Sequence, residues 1–348
     1  MTVPLIVIQP PCSGASRLKD VLAYALDGID FEMIEDMDAL PDLRGRRLLF
    51  AVALGDDGIS PAAYMLLGSL RRCPDMLEGC VGAVLVDGAQ ELYTKSFARE
   101  LVFSANLAGC AFIGRPLVEA TGSLQNFHVQ AQSQHTDKLG AYRLSARELI
   151  FRLVEHECPA PPQNLLALHA SKRATSNTLA LWELVKARLQ SGGVSVSEIN
   201  LRKGAVNDCD GCTYTACLHF GEHGGCYYGG VMVEDVFPAV RACDALILLC
   251  PNYNDALSAN LTAFINRLTA LFRQSRFYDK QLYGIIVSGY SGGDIVARQL
   301  ISALCMNKSF YLPPRFTMLE TANDAGSVLL LEGIKERAAA FAKAIAGG

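Results

Sequence analysis

Two stretches of the chain concentrate side chains that could do chemistry. The first, "HASKRATSNTLALW", sets Ser171, Lys172, Arg173, Thr175, Ser176, Asn177 and Thr178 between an apolar run and a helical pattern. Hydroxyls and free backbone N–H groups at a helix N-terminus attract an anion, and the two cations add charge. An ordinary cap needs only one such residue. The loop is therefore richer than capping requires and points to phosphate. The second stretch, "CDGCTYTACLHFGEHGGC", spaces Cys209, Cys212, Cys217 and Cys226 as Cys-x2-Cys-x4-Cys-x8-Cys. Three chemistries fit it: a 4Fe-4S cubane held by four thiolates, a zinc tetrahedron of the same four thiolates or with His219 or His223 replacing one, or unligated thiols or a redox-reactive Cys209–Cys212 pair.

Two later loops are candidates because of what precedes them. Pro251-Asn252-Tyr253-Asn254 ends the apolar run "ALILLC", and Ser288 to Gly293 ("SGYSGG") ends "LYGIIV". A tyrosine at such a turn can lie against a flat ring while Asn amides bond its polar edge. Glycines let backbone approach a ligand closely. Each loop alone also fits a plain turn. Tyr227 and Tyr228, in "FGEHGGCYYGG", either cover a ring's open face or pack beneath their own loop.

Other chemistries find no support. There is no GxGxxG, no GxxxxGK[ST], no HExxH and no arguable Ser/His/Asp set. The net charge of −4 leaves no basic footprint for nucleic acid or an anionic membrane, and no apolar run is long enough to cross a bilayer. The opening "MTVPLIVIQPP" reads as a first strand and not a signal peptide. With 12 cysteines, that suggests a reducing, cytoplasmic setting.

The elements that would position these loops come in two similar sets. "HECPAPPQN" breaks the chain near residue 160, and each side opens with a short strand, a loop and a helix. "GAVLVDG" at 82 resembles "GIIVSGY" at 284, and "LVEAT" at 117 resembles "MLETA" at 318. The opening strands at 4 and 164 are spaced more closely, so the cysteine-rich stretch reads as an insertion into one copy of a duplicated unit. Short Val/Ile/Leu runs alternating with amphipathic segments argue for parallel sheets covered on both faces, five strands per half. In such sheets ligands bind at the carboxyl ends of the strands.

Together "ASKRATSNT", "CPNYNDALSANLTAFINR" and "SGYSGGD" resemble the NADPH-dependent FMN reductases and iron–sulfur flavoproteins of the flavodoxin-like superfamily, over residues 164 to about 345. Ala170, Lys172 and Asn252 depart from the family's Gly, Pro and Val. The resemblance implies two tandem flavodoxin-like doubly wound parallel sheets: residues 1–155 without cofactor, and 163–348 binding FMN, with a Cys-rich insertion at 205–232. By this resemblance Ser171, Arg173, Ser176, Asn177 and Thr178 would hold the FMN phosphate. Pro251, Asn252, Tyr253 and Asn254, with Ser288, Gly289, Tyr290, Gly292 and Gly293, would flank the ring. Cys209, Cys212, Cys217 and Cys226 would bind a metal or cluster.

In the first half the corresponding loops carry Asp56, Asp57, Asp87 and Glu91. Carboxylates there would oppose the charge of a reduced flavin. The implied function is an oxidoreductase carrying electrons from NAD(P)H through FMN to a small-molecule or redox-protein acceptor, with a homodimer as the quaternary option. The alternatives are an iron–sulfur electron carrier and a non-enzymatic flavin- or metal-binding module.

Overall fold

A computed structural model describes residues 4–171, 175–202 and 206–347. The chain divides into two compact units, residues 1–157 with 313–315 and residues 158–312 with 316–348.

The first unit has five parallel strands: β1 Leu5–Ile8, β2 Phe31–Ile34, β3 Arg47–Leu54, β4 Val81–Gly88 and β5 Ala111–Ala120. They are ordered β2-β1-β3-β4-β5. Its helices are α1 Ser16–Ala25, α2 Pro61–Arg72, α3 Thr94–Leu107, α4 His128–Ser133 and α5 Lys138–Val154. The second unit repeats the plan with β6 Asn164–His169, β7 Ser195–Asn200, β8 Ala245–Pro251, β9 Gln281–Ser288 and β10 Thr317–Thr321. Read from its other edge, that sheet runs β7-β6-β8-β9-β10, which is the same order. Its helices are α6 Asn177–Ser191, α7 Tyr214–Glu222, α8 Phe237–Ala242, α9 Ala259–Gln274, α10 Gly293–Leu300 and α11 Ile334–Ile345. Both sheets have the flavodoxin-like 2-1-3-4-5 order. The chain is thus an α/β protein of two tandem flavodoxin-like domains.

Strand sequence and position agree. Central strands β4, β8 and β9 are buried almost throughout, so they read as unbroken apolar runs. Edge strands β2 (FEMI) and β7 (SVSEIN) are less covered, β2 largely exposed and β7 without a buried residue. In the second unit Leu165, Ala167, Ile247 and Ile285 face α6 and α11 in one cluster around Trp182. Their neighbours Leu166, Leu168, Leu246 and Leu248 are equally buried, because successive side chains point to opposite faces. On that side α8 packs on β6 and α10 on β9.

The units differ between their second and third strands. In the first unit residues 35–46 make that connection without a helix. In the second, residues 201–244 carry α7, a π-helical turn at Met232–Val236 and α8. The sequence reading of a cysteine-rich loop missed α7. A Cβ on Gly221 of that helix would sit 2.9 Å from the Ala270 carbonyl oxygen, so glycine permits the close crossing of α7 on α9. Among the described residues no helix is long and apolar enough to cross a membrane.

Trp182 is the single tryptophan and is fully buried in the second unit, so its fluorescence reports that unit's unfolding. Ile247→Ala, emptying the centre of the same cluster, is expected to cost about 2–5 kcal/mol. The check is a lower urea midpoint by Trp182 fluorescence at unchanged slope.

Candidate functional site

The carboxyl ends of β6, β8, β9 and β10 surround a cavity of ≈ 560 Å³. Thr175, Ser176, Asn177 and Thr178 wall it from the first loop; Pro251, Asn252, Tyr253, Asn254 and Asp255 wall it from the second. Gly289, Tyr290 and Ser291 contribute from the third, and Ala322 and Asn323 from the fourth. Of the expected site residues, eight others besides Asn252 meet at this cavity: Ser176, Asn177, Thr178, Pro251, Tyr253, Asn254, Gly289 and Tyr290. Arg173 lies outside the described residues, as does Lys172.

Within the first loop the polar residues divide into two roles. Ser176 is the N-cap of α6, its Oγ accepting from Leu179 N–H at 3.2 Å. Asn177 ties the first loop to the fourth: its Nδ2 donates to the carbonyls of Ala322 (3.0 Å) and Asp324 (2.8 Å). Capping and bracing thus account for those two side chains. Ser171 is different. It is 4% exposed, it is not among the residues lining the cavity, and among the described residues its Oγ has no hydrogen-bond partner. A buried hydroxyl left unpaired is unfavourable, and this one stands just before the N-terminus of a 15-residue helix, where anions are stabilised.

The second loop is a tight turn. Asn254 and Asp255 both have left-handed backbone (φ +53° and +56°), and Tyr253 pairs with Ala256 across them. Two successive positive φ values define a type I′ turn, which Asn and Asp tolerate better than other side chains. The turn leaves the Tyr253 ring 57% exposed at the cavity. Asn252 joins this loop to the third. Its Nδ2 lies 3.1 Å from Asp255 Oδ1, 3.2 Å from Ser288 Oγ and 2.9 Å from the Ser291 carbonyl. Ser288 is itself buried and accepts from Asn252. Gly292 adopts φ +83°, and a side chain there would collide with the Asp255 carboxylate. Gly293 begins α10. Ser288, Gly292 and Gly293 therefore shape the third loop from behind, while Gly289 and the exposed Tyr290 face the cavity.

Sequence reasoning missed Asp255, Ala322 and Asn323. The Asn-Asp pair carried a readable turn signal for Asp255. The fourth loop, "TAND", has none.

The four cysteines also share a cavity, of ≈ 210 Å³, with Phe220, Tyr227, Tyr228, Arg267 and Arg273. Of the two expectations for Tyr227 and Tyr228, the cavity's lining favours packing beside their own loop. Tyr227 and Tyr228 lie with the cysteines and do not line the strand-end cavity. Among the described residues no group of three or more His, Cys, Asp and Glu is arranged to hold a metal ion. Cys209 and Cys212 sit exposed on the stretch before α7, Cys217 is fixed on that helix, and Cys226 follows it. His219 and His223 are outside this cavity, and His223 Nδ1 lies 2.7 Å from the His219 carbonyl. Tyr228 is raised to about 12, chiefly by its hydrogen bond with Asp210. Arg267, 2% exposed, donates from Nη2 to the Gly229 carbonyl at 2.8 Å, and its Nε has no partner among the described residues. Cys243, Cys250 and Cys305 are core residues; burial pushes Cys243 up to about 11 and raises the other two further.

In the first unit the strand ends are arranged otherwise. Arg17 of α1 donates from Nε and Nη2 to both carboxylate oxygens of Asp87 at 2.8–3.2 Å. It also reaches the carbonyls of Gly88, Thr121 and Gly122. Tyr93, at φ +77°, lays its ring where a side chain on Gly58 would collide. A cavity of ≈ 410 Å³ remains beside β1, lined by residues including Gln9, Cys12, Lys19 and Glu35.

Residues 163–324 match the family model of the NADPH-dependent FMN reductases. No curated protein matches the chain. Among solved structures, a flavodoxin, WrbA-like protein from Agrobacterium tumefaciens is 16% identical, over 53% of this chain and 97% of its own, with a TM-score of 0.34. An azoreductase from Bacillus anthracis is 14% identical over 53% and 97%, with a TM-score of 0.38. An NADH:FMN oxidoreductase in its apo form is 16% identical over 53% and 88%, with a TM-score of 0.36.

Replacing Asn252 by Leu removes the tie between the second and third loops. Faster amide hydrogen exchange across 251–256 and 288–292 is expected, with exchange in β8 and β9 unchanged. Unchanged exchange in both loops would mean that the Asn252 amide does not hold them.

Proposed function

We propose that the second unit binds FMN in the strand-end cavity and that the chain is an NAD(P)H-dependent flavin oxidoreductase, passing electrons to a small-molecule or redox-protein acceptor. One observation carries the reading: a cavity of ≈ 560 Å³ built from four strand-end loops is walled by Thr175, Ser176, Asn177 and Thr178 at the N-terminus of α6. That donor set fits a phosphate ester. The match of residues 163–324 to the NADPH-dependent FMN reductases supports the same cofactor.

FMN, when bound, supplies a ring that takes hydride from reduced nicotinamide and releases electrons singly or in pairs. The chain's own part is to hold and tune it. Ser171, Thr175 and Thr178, with the α6 N-terminus, grip the phosphate, and Arg173 adds a cation. Ser176 and Asn177 keep that loop in shape. Pro251 to Asn254 and Gly289 to Tyr290 flank the ring, with Asn252 setting their separation. Asp255, held at the second loop by Asn252, adds a negative charge that opposes an anionic reduced ring. No side chain is required as acid or base.

In the first unit, residues 1–155, the Arg17–Asp87 pair and the Tyr93 ring stand where the cofactor's loops open in the second. We read it as a domain that binds no flavin. The Cys-rich insertion at 205–232 belongs to the FMN-binding unit. An iron–sulfur carrier is the second reading, favoured by the shared cavity of the four cysteines and the buried Arg267. It requires their three segments to converge, and no step is assigned to it.

The test is reconstitution of the full chain with FMN, expected to give one flavin per chain and anaerobic bleaching by NADPH or NADH. Ser171→Ala is expected to weaken FMN about tenfold, the worth of one hydrogen bond to a charged group. Flavin bound but unreduced by either nicotinamide would select the carrier or binding module. No flavin uptake would overturn the proposal. Stoichiometric iron and sulfide after anaerobic purification would establish the second reading.

A further inference from the structure

We propose that the cysteine cavity of the second unit is a modification site, where Cys209 exchanges with a small carboxylate-bearing disulfide and keeps one half of it as a mixed disulfide. This cavity shares no lining residue with the strand-end cavity, and the proposal does not depend on the flavin reading.

Uncompensated charge carries the argument. Arg267 and Arg273 of α9 both line the cavity. Arg267 is 2% exposed and uses one donor on the Gly229 carbonyl. Arg273 is half-buried, its guanidinium 4.4 Å from the centre of the Tyr214 ring. Among the described residues Nε of each lacks a hydrogen-bond partner and neither arginine forms an ion pair. A guanidinium cannot shed its charge, and arginine is rarely buried unpaired. Lys308 is a third cation without a carboxylate among the described residues. Its Nζ donates at 2.8 Å to Thr269 Oγ1, a residue of the same cavity. Burial and Arg273 lower its pKa, while Cys209 and Cys217 pull the other way, which sets it beside the thiols. Among the described residues the one carboxylate lining the cavity, Asp210, is taken by the Tyr228 hydroxyl.

Three such cations around ≈ 210 Å³ favour an anion from outside, and a carboxylate matches the guanidinium fork. What faces that anion is a set of thiols. Cys209 is exposed to a reagent yet held in place. Asp208 Oδ1 accepts its N–H at 2.6 Å and Asn266 Nδ2 of α9 at 2.9 Å. The Cys209 sulfur, its proton lost, attacks one sulfur of the disulfide. The old S–S bond breaks, a Cys209 S–S bond forms, and the other half leaves as a thiol carrying that proton. The small disulfide is itself the oxidant and is reduced.

The test treats the purified full chain with glutathione disulfide, which carries carboxylates, or with cystamine, which carries ammoniums. Non-reducing peptide mass mapping follows each cysteine, with exposed Cys73 and Cys158 as internal references. Relative to those references, Cys209 should take up glutathione about tenfold faster than cystamine, a preference that shrinks in about 1 M salt. Arg273→Met and Lys308→Met should each slow glutathione uptake at Cys209 about threefold without slowing cystamine. Trp182 fluorescence checks that both variants are folded. Equal rates for the two disulfides, a preference shared by Cys73 and Cys158, or unchanged rates in both variants would overturn the proposal. So would tripeptide settled on another cysteine, an internal disulfide in its place, or iron and sulfide held by the four cysteines of the purified chain.

Discussion

In a parallel sheet every strand ends on the same side, and in the order β7-β6-β8-β9-β10 the connections leaving β6 and β8 run to opposite faces. A crevice must open between those two carboxyl ends. Everything assigned to the second unit follows from that constraint. Main-chain groups freed at the ends of β6, β8, β9 and β10 need partners, and the loops supply only some: Asn177 closes the first loop on the fourth, and Asn252 closes the second on the third. What the loops leave open is the cavity, walled at the α6 N-terminus by Thr175 to Thr178.

The first unit has the same crevice by topology and handles it differently. An arginine on α1 forms a part-buried ion pair with Asp87 and collects three carbonyls from the ends of β4 and β5. The pair satisfies locally what in the second unit is left to polar loop residues. Two copies of one architecture can thus diverge by changing a few side chains at the strand ends, with both sheets untouched.

Most of the fold was legible because buried parallel strands leave apolar runs that helices and turns interrupt, and both halves carry this signal five times. The insertion was less legible. Glycines and cysteines in "CDGCTYTACLHFGEHGGC" mask α7, which packs on α9 with Gly221 close to Ala270. At the site, residue type identified the loops but not each side chain's task. A hydroxyl that caps, Ser176, and one that waits unpaired, Ser171, look alike in sequence; only their hydrogen bonds separate them. Sequence spacing likewise suggested a common site for the four cysteines without revealing that Cys217 lies on a helix and Cys209 and Cys212 on the stretch before it.

The central claim is that the strand ends of the second unit hold a flavin by its phosphate. A crystal structure of the full chain grown with FMN tests it most directly. The account predicts phosphate oxygens within hydrogen-bond distance of Ser171 Oγ at the α6 N-terminus, and the ring between the turn at Pro251–Asn254 and that at Gly289–Tyr290. Flavin seated beside β1 of the first unit, or a phosphate turned away from Ser171, would contradict it.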